Sequence, residues 1–91
     1  MQIYKITNLV NGKEYVGKDE SSRKRYYGSG KLIVFAIKKY GKENFRKEIL
    51  FETNNKEVLC EKEKEYIIEC NSLSPNGYNL TSGGEGVVPV E

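Results

Sequence analysis

The chain has 91 residues, 37% of them hydrophobic and 31% charged, with a formal net charge of +2. That length holds one modest core and no second domain, and the balance is too apolar for general disorder. The longest apolar run, Leu32 to Ile37, falls far short of the ~18 residues a membrane span needs.

The charge is unevenly spread. From Lys18 to Lys47 ten Lys/Arg face three acids, a net of +7, and from Glu48 to Glu69 seven glutamates face three lysines, a net of −4. A basic middle beside an acidic segment either pairs internally or presents separate phosphate-binding and solvent faces. Lys5 and the polar Thr7-Asn8 break up the N-terminus before an apolar region develops, so no signal peptide is read and a cytosolic location is expected.

Residues 2–8 read as a strand, with Lys5-Ile6-Thr7 alternating. Leu9-Val10-Asn11-Gly12 reads as a hairpin loop, because Asn-Gly supplies the positive-φ positions of tight turns. Lys13–Gly17 is the return strand, and 18–30 a polar, glycine-containing loop. Ser29 is an expected N-cap for a helix over 31–40, with Gly41 as its stop. Phe45–Glu52 alternates, Phe45, Lys47, Ile49 and Phe51 against Arg46, Glu48 and Leu50, and reads as a third strand. Asn54 or Asn55 caps a second helix reaching about Cys70.

Cys60 and Cys70 fall on that helix ~15 Å apart, whereas a disulfide needs Cα atoms within ~7 Å. Two reduced thiols at core positions are expected. With no histidine in the chain, a zinc site is not. Pro75-Asn76-Gly77 is a turn, Ser82 to Gly86 a linker, and Val87–Glu91 a tail. Hairpin, helix, strand, helix is too short for a doubly wound sheet. The order predicts an α+β domain with a small three-stranded, mainly antiparallel sheet flanked by helices.

Several residues are candidates for chemistry. In a hairpin with an even loop, Tyr4 and Tyr15 share one sheet face. A two-residue turn leaves them ~13 Å apart, and a four-residue loop pairs Tyr15 with Ile6 and about halves the gap. The longer loop is favoured. On the second helix, Leu59, Glu63, Tyr66, Ile67 and Cys70 cluster on one side. Glu63 therefore sits in an apolar stripe, where a carboxylate needs a metal, a cation or water, unless it is a rim position paired with a lysine. Ile68 lies opposite, which suggests a second covered face. Arg25 ends the run Arg23-Lys24-Arg25, and its planar fork matches phosphate oxygens. Arg25-Tyr26-Tyr27 with Lys31, Lys38 and Lys42 mixes aromatic and basic groups as a nucleic-acid groove does.

Together these residues resemble the GIY-YIG nuclease pattern. Gln2-Ile3-Tyr4 stands where that family has Gly-Ile-Tyr, and Tyr15-Val16-Gly17 where it has Tyr-Ile-Gly. Arg25 follows Gly17 by eight residues, Glu63 precedes Asn71 by eight, and Gly77-Tyr78-Asn79 matches a closing Gly-Tyr-Asn. Tyr4-Lys5-Ile6-Thr7-Asn8, Ala36 to Gly41 and Glu43-Asn44-Phe45 look typical of phage and intron homing members. The match runs from residue 2 to about 84, making 1–84 the nuclease domain and 85–91 a tail or the start of a truncated linker.

The resemblance implies a DNA endonuclease that hydrolyses phosphodiester bonds with one Mg²⁺ or Mn²⁺, leaving 3′-hydroxyl and 5′-phosphate ends. Tyr4, Tyr15, Arg25, Glu63 and Asn79 would form its catalytic set. Glu63 would hold the metal, Tyr4 act as general base with help from Tyr15 and a nearby cation such as Lys18, Arg25 stabilise the phosphate, and Asn79 brace the site. Arg23, Lys24, Lys38 and Lys42 are expected to contact DNA. Two positions depart from the pattern. Gln2 replaces the first glycine, and Ser29 stands where the family often has a histidine. That role would pass to Lys18, Tyr27, Lys31 or water, or be absent, and the alternative is a catalytically impaired nucleic-acid-binding module of the same fold. DNA is the expected partner and no membrane is. A phage-encoded protein would work in the host cytosol, and the oligomeric state, a monomer included, is not fixed by sequence.

Overall fold

The alternating N-terminal segment forms β1 (Gln2–Asn8), the central strand of a three-stranded sheet in the order β2-β1-β3. Its neighbours β2 (Glu14–Asp19) and β3 (Phe45–Glu52) both run antiparallel to it. The computed structural model describes residues 1–21, 23, 26–28 and 30–80. Ile6 pairs with Tyr15 and Thr7 with Glu14, so the hairpin loop is the four-residue Leu9–Gly12. Asn8 shapes it, its side-chain oxygen accepting from the Val10 N–H at 2.8 Å. The favoured register is the observed one.

Both faces of the sheet are covered. Helix α1 (Lys31–Tyr40) covers the face of Tyr4 and Ile6, joined there by Ile33, Ala36, Phe45 and Tyr78. Helix α2 (Lys56–Glu69) covers the other, packing Leu59 and Ile67 onto Ile3 and Val16. This two-sided cover is why β1 is buried at Gln2, Ile3, Tyr4, Ile6 and Asn8 instead of at alternate positions only. Asn55 caps α2 by accepting from the N–H groups of Glu57 and Val58. The chain is an α+β domain, as its element order predicts.

Four local expectations need correction. The N-cap of α1 is Gly30, with no side-chain cap, and Ser29 lies outside the described residues. The β3 alternation breaks: Tyr4 pairs with Ile49 but Ile3 with Phe51, so Leu50 bulges, and Leu50 and Phe51 both pack on the α2 side. Cys60 and Cys70 are free thiols as expected, but half-buried instead of core, and Cys70 is the cap residue beyond α2. Ile68 is 72% exposed, so α2 has one covered face. The proposed linker and tail lie outside the described residues. Among the described residues, no helix is long and apolar enough to cross a membrane.

Candidate active site

Tyr4 and Tyr15 meet on the α1 face, their ring centroids 6.3 Å apart with planes tilted by 48°. Tyr4 stands across from Gly17 on the edge strand β2, and its ring lies over that glycine. A Cβ on Gly17 would fall 2.5 Å from the Tyr4 hydroxyl oxygen and 2.9 Å from Tyr15 Cε2. A side chain at position 17 would thus displace both rings, which is the physical need for glycine after Tyr15-Val16. Tyr26 adds a third ring, edge-on to Tyr4 at 6.1 Å.

These phenols sit among negative charges. Burial, then Tyr15, Tyr26, Asp19 and Glu63, push the Tyr4 pKa well above the ordinary phenol value. Burial and then Glu63 push Tyr15 up to about 12, with a hydrogen bond from Tyr4 working the other way. Glu63, half-buried on α2, therefore acts electrostatically on both tyrosines. Asp19 differs. Burial alone would raise its pKa, but hydrogen bonds from the N–H groups of Arg23 and Ser21 and from the Arg23 side chain hold it below the usual carboxylate range. With its oxygens so committed, Asp19 is a poor metal ligand. Among the described residues no three acidic, histidine or cysteine side chains cluster. One carboxylate such as Glu63 fits a magnesium-type ion, which keeps most of its water and takes phosphate oxygens.

The segment after α2 returns to brace the tyrosine strand. Asn79 is buried, its side-chain oxygen accepting from Val16 N–H at 2.8 Å and its amide donating to Val16 C=O at 2.8 Å. Ser72 Oγ donates to the same oxygen at 2.7 Å. Tyr78 N–H bonds the Glu14 carbonyl at 2.9 Å, while its hydroxyl accepts from the Asn8 and Asn11 side chains. Asn79 therefore touches the backbone between Tyr15 and Gly17, not their side chains.

Known proteins resemble this chain in sequence and fold. The family model described as "Putative endonuclease segE, GIY-YIG domain" matches residues 18–81. The chain belongs to the GIY-YIG endonuclease family. Among relatives from Enterobacteria phage T4, the protein called putative endonuclease segB is 48% identical over 85 residues, covering 91% of this chain and 38% of its own length. Endonuclease segA is 41% identical over 85 residues, again 91% of this chain and 38% of its own. The chain thus spans about two fifths of the length of these relatives. The catalytic domain of homing endonuclease I-TevI superposes with a TM-score of 0.71 at 35% identity, covering 88% of this chain and 97% of that one.

Within this GIY-YIG domain the other candidates separate. Arg25, Lys24 and Ser29 lie outside the described residues. Lys18 pairs with Ile3 and points to the α2 side, its Nζ 3.4 Å from Cys60 Sγ, one turn before Glu63. The cation at Tyr4 is instead Lys47, 4.7 Å from the ring centroid. Arg23 does not stand clear as a phosphate contact: its guanidinium bonds Asp19 at 3.3 Å and stacks on Tyr26, 3.9 Å from the centroid. Lys31, Lys38 and Lys42 are exposed on or just after α1. Lys42 lies 4.4 Å from the half-buried Tyr27 ring, and Lys38, Lys42, Tyr26 and Tyr27 line one cavity. Sequence reasoning missed Asp19 and Lys47 as site residues, and gave Tyr26 only as part of a nucleic-acid groove, not as a neighbour of Tyr4. The available signal was Lys47 sharing the parity of Phe45 and Ile49, since an inward-facing lysine needs partners.

Proposed function

We propose that this domain is the catalytic unit of a metal-dependent DNA endonuclease. The observation that carries the reading is the Tyr4–Tyr15 pair, ring centroids 6.3 Å apart over Gly17, in a chain of the GIY-YIG endonuclease family, and the influence of Glu63 on both phenols supports it. The names and titles of the T4 proteins and of I-TevI support the same activity.

Glu63 would hold one Mg²⁺ or Mn²⁺. When bound, that ion supplies positive charge to the scissile phosphate and the leaving 3′ oxygen. Tyr4 acts as general base on the attacking water, and Tyr15 positions it. Tyr4 must first give up its own proton, which the Glu63 charge opposes. Arg25 stabilises charge developing on the phosphate. Asn79 holds the Tyr15-Val16-Gly17 backbone in place. Lys18 sits near the Glu63 end as an accessory cation, and Lys38 and Lys42 hold the DNA backbone.

Nicking of supercoiled plasmid tests this. Wild type nicks in Mg²⁺, EDTA abolishes the reaction, and Glu63→Ala and Arg25→Ala each reduce it at least a hundredfold, the scale of losing one charge-stabilising group. Activity retained in both variants and in EDTA overturns the mechanism. The absence of histidine favours one second reading, a DNA-binding module without cleavage. It gives a salt-sensitive gel shift and no nicking in any metal.

A further inference from the structure

Lys47 belongs to none of the matched motifs, yet it joins the two halves of the site. Its Nζ donates to the Arg23 carbonyl at 2.7 Å and to the Tyr26 carbonyl at 2.8 Å. The same nitrogen lies 4.7 Å from the Tyr4 ring centroid and 5.9 Å from that of Tyr27. Its partners are carbonyls and ring faces, and no carboxylate pairs with it among the described residues. Two of its three protons are spent on the loop, which leaves little for a phosphate or a proton transfer.

Asp19 grips the same loop from its other end. Its carboxylate, buried at the end of β2, accepts from Ser21 N–H at 2.9 Å, Arg23 N–H at 2.7 Å and the Arg23 guanidinium at 3.3 Å. Arg23 is therefore held by its N–H on Asp19 and by its carbonyl on Lys47. Tyr26 is held by its carbonyl on Lys47 and by its ring between Arg23 and Tyr4. The two residues of sequence between these fixed points are Lys24 and Arg25.

We infer that Lys47 and Asp19 form a two-ended clamp that fixes Arg23 and Tyr26 beside Tyr4, making both of them positioning residues for phosphodiester hydrolysis. The catalytic half of this inference rests on the nuclease reading. The clamp itself does not, so the two are tested by different readouts.

The first readout is native-state trypsin digestion of the full chain, with cleavage sites assigned by mass spectrometry. Arg23-Lys24-Arg25 offers three consecutive sites. Lys47→Met and Asp19→Asn should speed cleavage there at least tenfold relative to cleavage elsewhere in the same molecule, with Lys47→Arg partly restoring protection. Unchanged relative cleavage in both variants overturns the clamp, whatever the nicking rates. The second readout is plasmid nicking under single-turnover conditions. Lys47→Met should lower the rate ten- to a hundredfold, leave KM for DNA within threefold, and add no further loss to Arg25→Ala. Full additivity with Arg25→Ala overturns the catalytic half and leaves the trypsin result to judge the clamp. A wild-type protein that never nicks removes the nuclease reading and the catalytic half together.

Discussion

Asn79 bonds Val16 as a strand neighbour would, offering one acceptor and one donor at 2.8 Å each to the N–H and C=O of a single buried residue. β2 is an edge strand, so these Val16 groups face away from β1 and need a partner from elsewhere. A side-chain amide has the geometry of a peptide group and supplies it. The tyrosine strand is thus fixed on one side by β1 and on the other by a residue 63 positions away.

Replacing Asn79 with alanine should therefore cost stability as well as activity. Two buried backbone groups and the Ser72 hydroxyl lose their partner. At about 1–3 kcal/mol for each unsatisfied group and some relief from entering water, a loss of about 2–4 kcal/mol is expected. Urea unfolding should show it as a lower midpoint at unchanged slope. A midpoint within a few tenths of a kcal/mol of wild type would mean that the bracing is unimportant.

Two glycines make a paired test of what can yield. At Gly17 an added methyl meets the Tyr4 hydroxyl and the Tyr15 ring, whereas at Gly77 it meets the backbone of Ser72 and Glu14. Rings can rotate aside, but a braced backbone cannot. Gly17→Ala should cost about 1–3 kcal/mol by overpacking and lower nicking about a hundredfold by moving the tyrosine pair. Gly77→Ala should cost more stability than Gly17→Ala in calorimetry. The reverse order would contradict the assignment.

How much of this was legible in sequence depends on the range of the interaction. β1 and β3 could be bounded from alternation, because that signal is local, whereas Asn11-Gly12 marked the hairpin but left a two-residue turn and the observed four-residue loop both open. Strand parity put Tyr4 with Tyr15 and helical spacing turned Glu63 toward the sheet, while the grouping of all three came from the family resemblance. The bulge at Leu50 was not legible, since bulging depends on how Ile3 and Tyr4 share the α2 and α1 faces. Lys18 looked like the cation for Tyr4 because it is near in sequence, but strand parity sends it to the other face. Lys47 serves there from another strand, through carbonyls of a loop whose path no pattern specifies.

The raised tyrosine pKa values set an alkaline limit on stability. Tyr15 is pushed up to about 12, mainly by burial and Glu63, and Tyr4 is raised further. In the unfolded chain both titrate near pH 10, so above that pH the unfolded state binds fewer protons than the folded one. Stability is then full below pH 10 and falls as pH rises toward 12, by about 2–3 kcal/mol for Tyr15 alone. Phenolate absorbance should show two of the seven tyrosines ionising only as the protein unfolds. Seven tyrosines titrating together near pH 10 in the folded state would refute the buried pair.

Lysines facing solvent and the arginine tied into the loop should part company in DNA binding. Lys38 and Lys42 are exposed beside Tyr26 and Tyr27, whereas the Arg23 guanidinium is engaged with Asp19 and Tyr26. Removing one lysine that neutralises a phosphate lowers the slope of log K against log salt by about 0.9. Lys38→Gln with Lys42→Gln should therefore flatten that slope by about 2 and weaken binding across DNA sequences alike, while the rate at saturating DNA stays within about threefold. Arg23→Gln should leave the slope nearly unchanged and depress the rate, because it disturbs the loop between Asp19 and Lys47. Binding measured from 50 to 200 mM salt beside single-turnover nicking separates the two. If Arg23→Gln flattens the slope as a lysine does and spares the rate, the arginine contacts phosphate after all and its bonds to Asp19 are incidental.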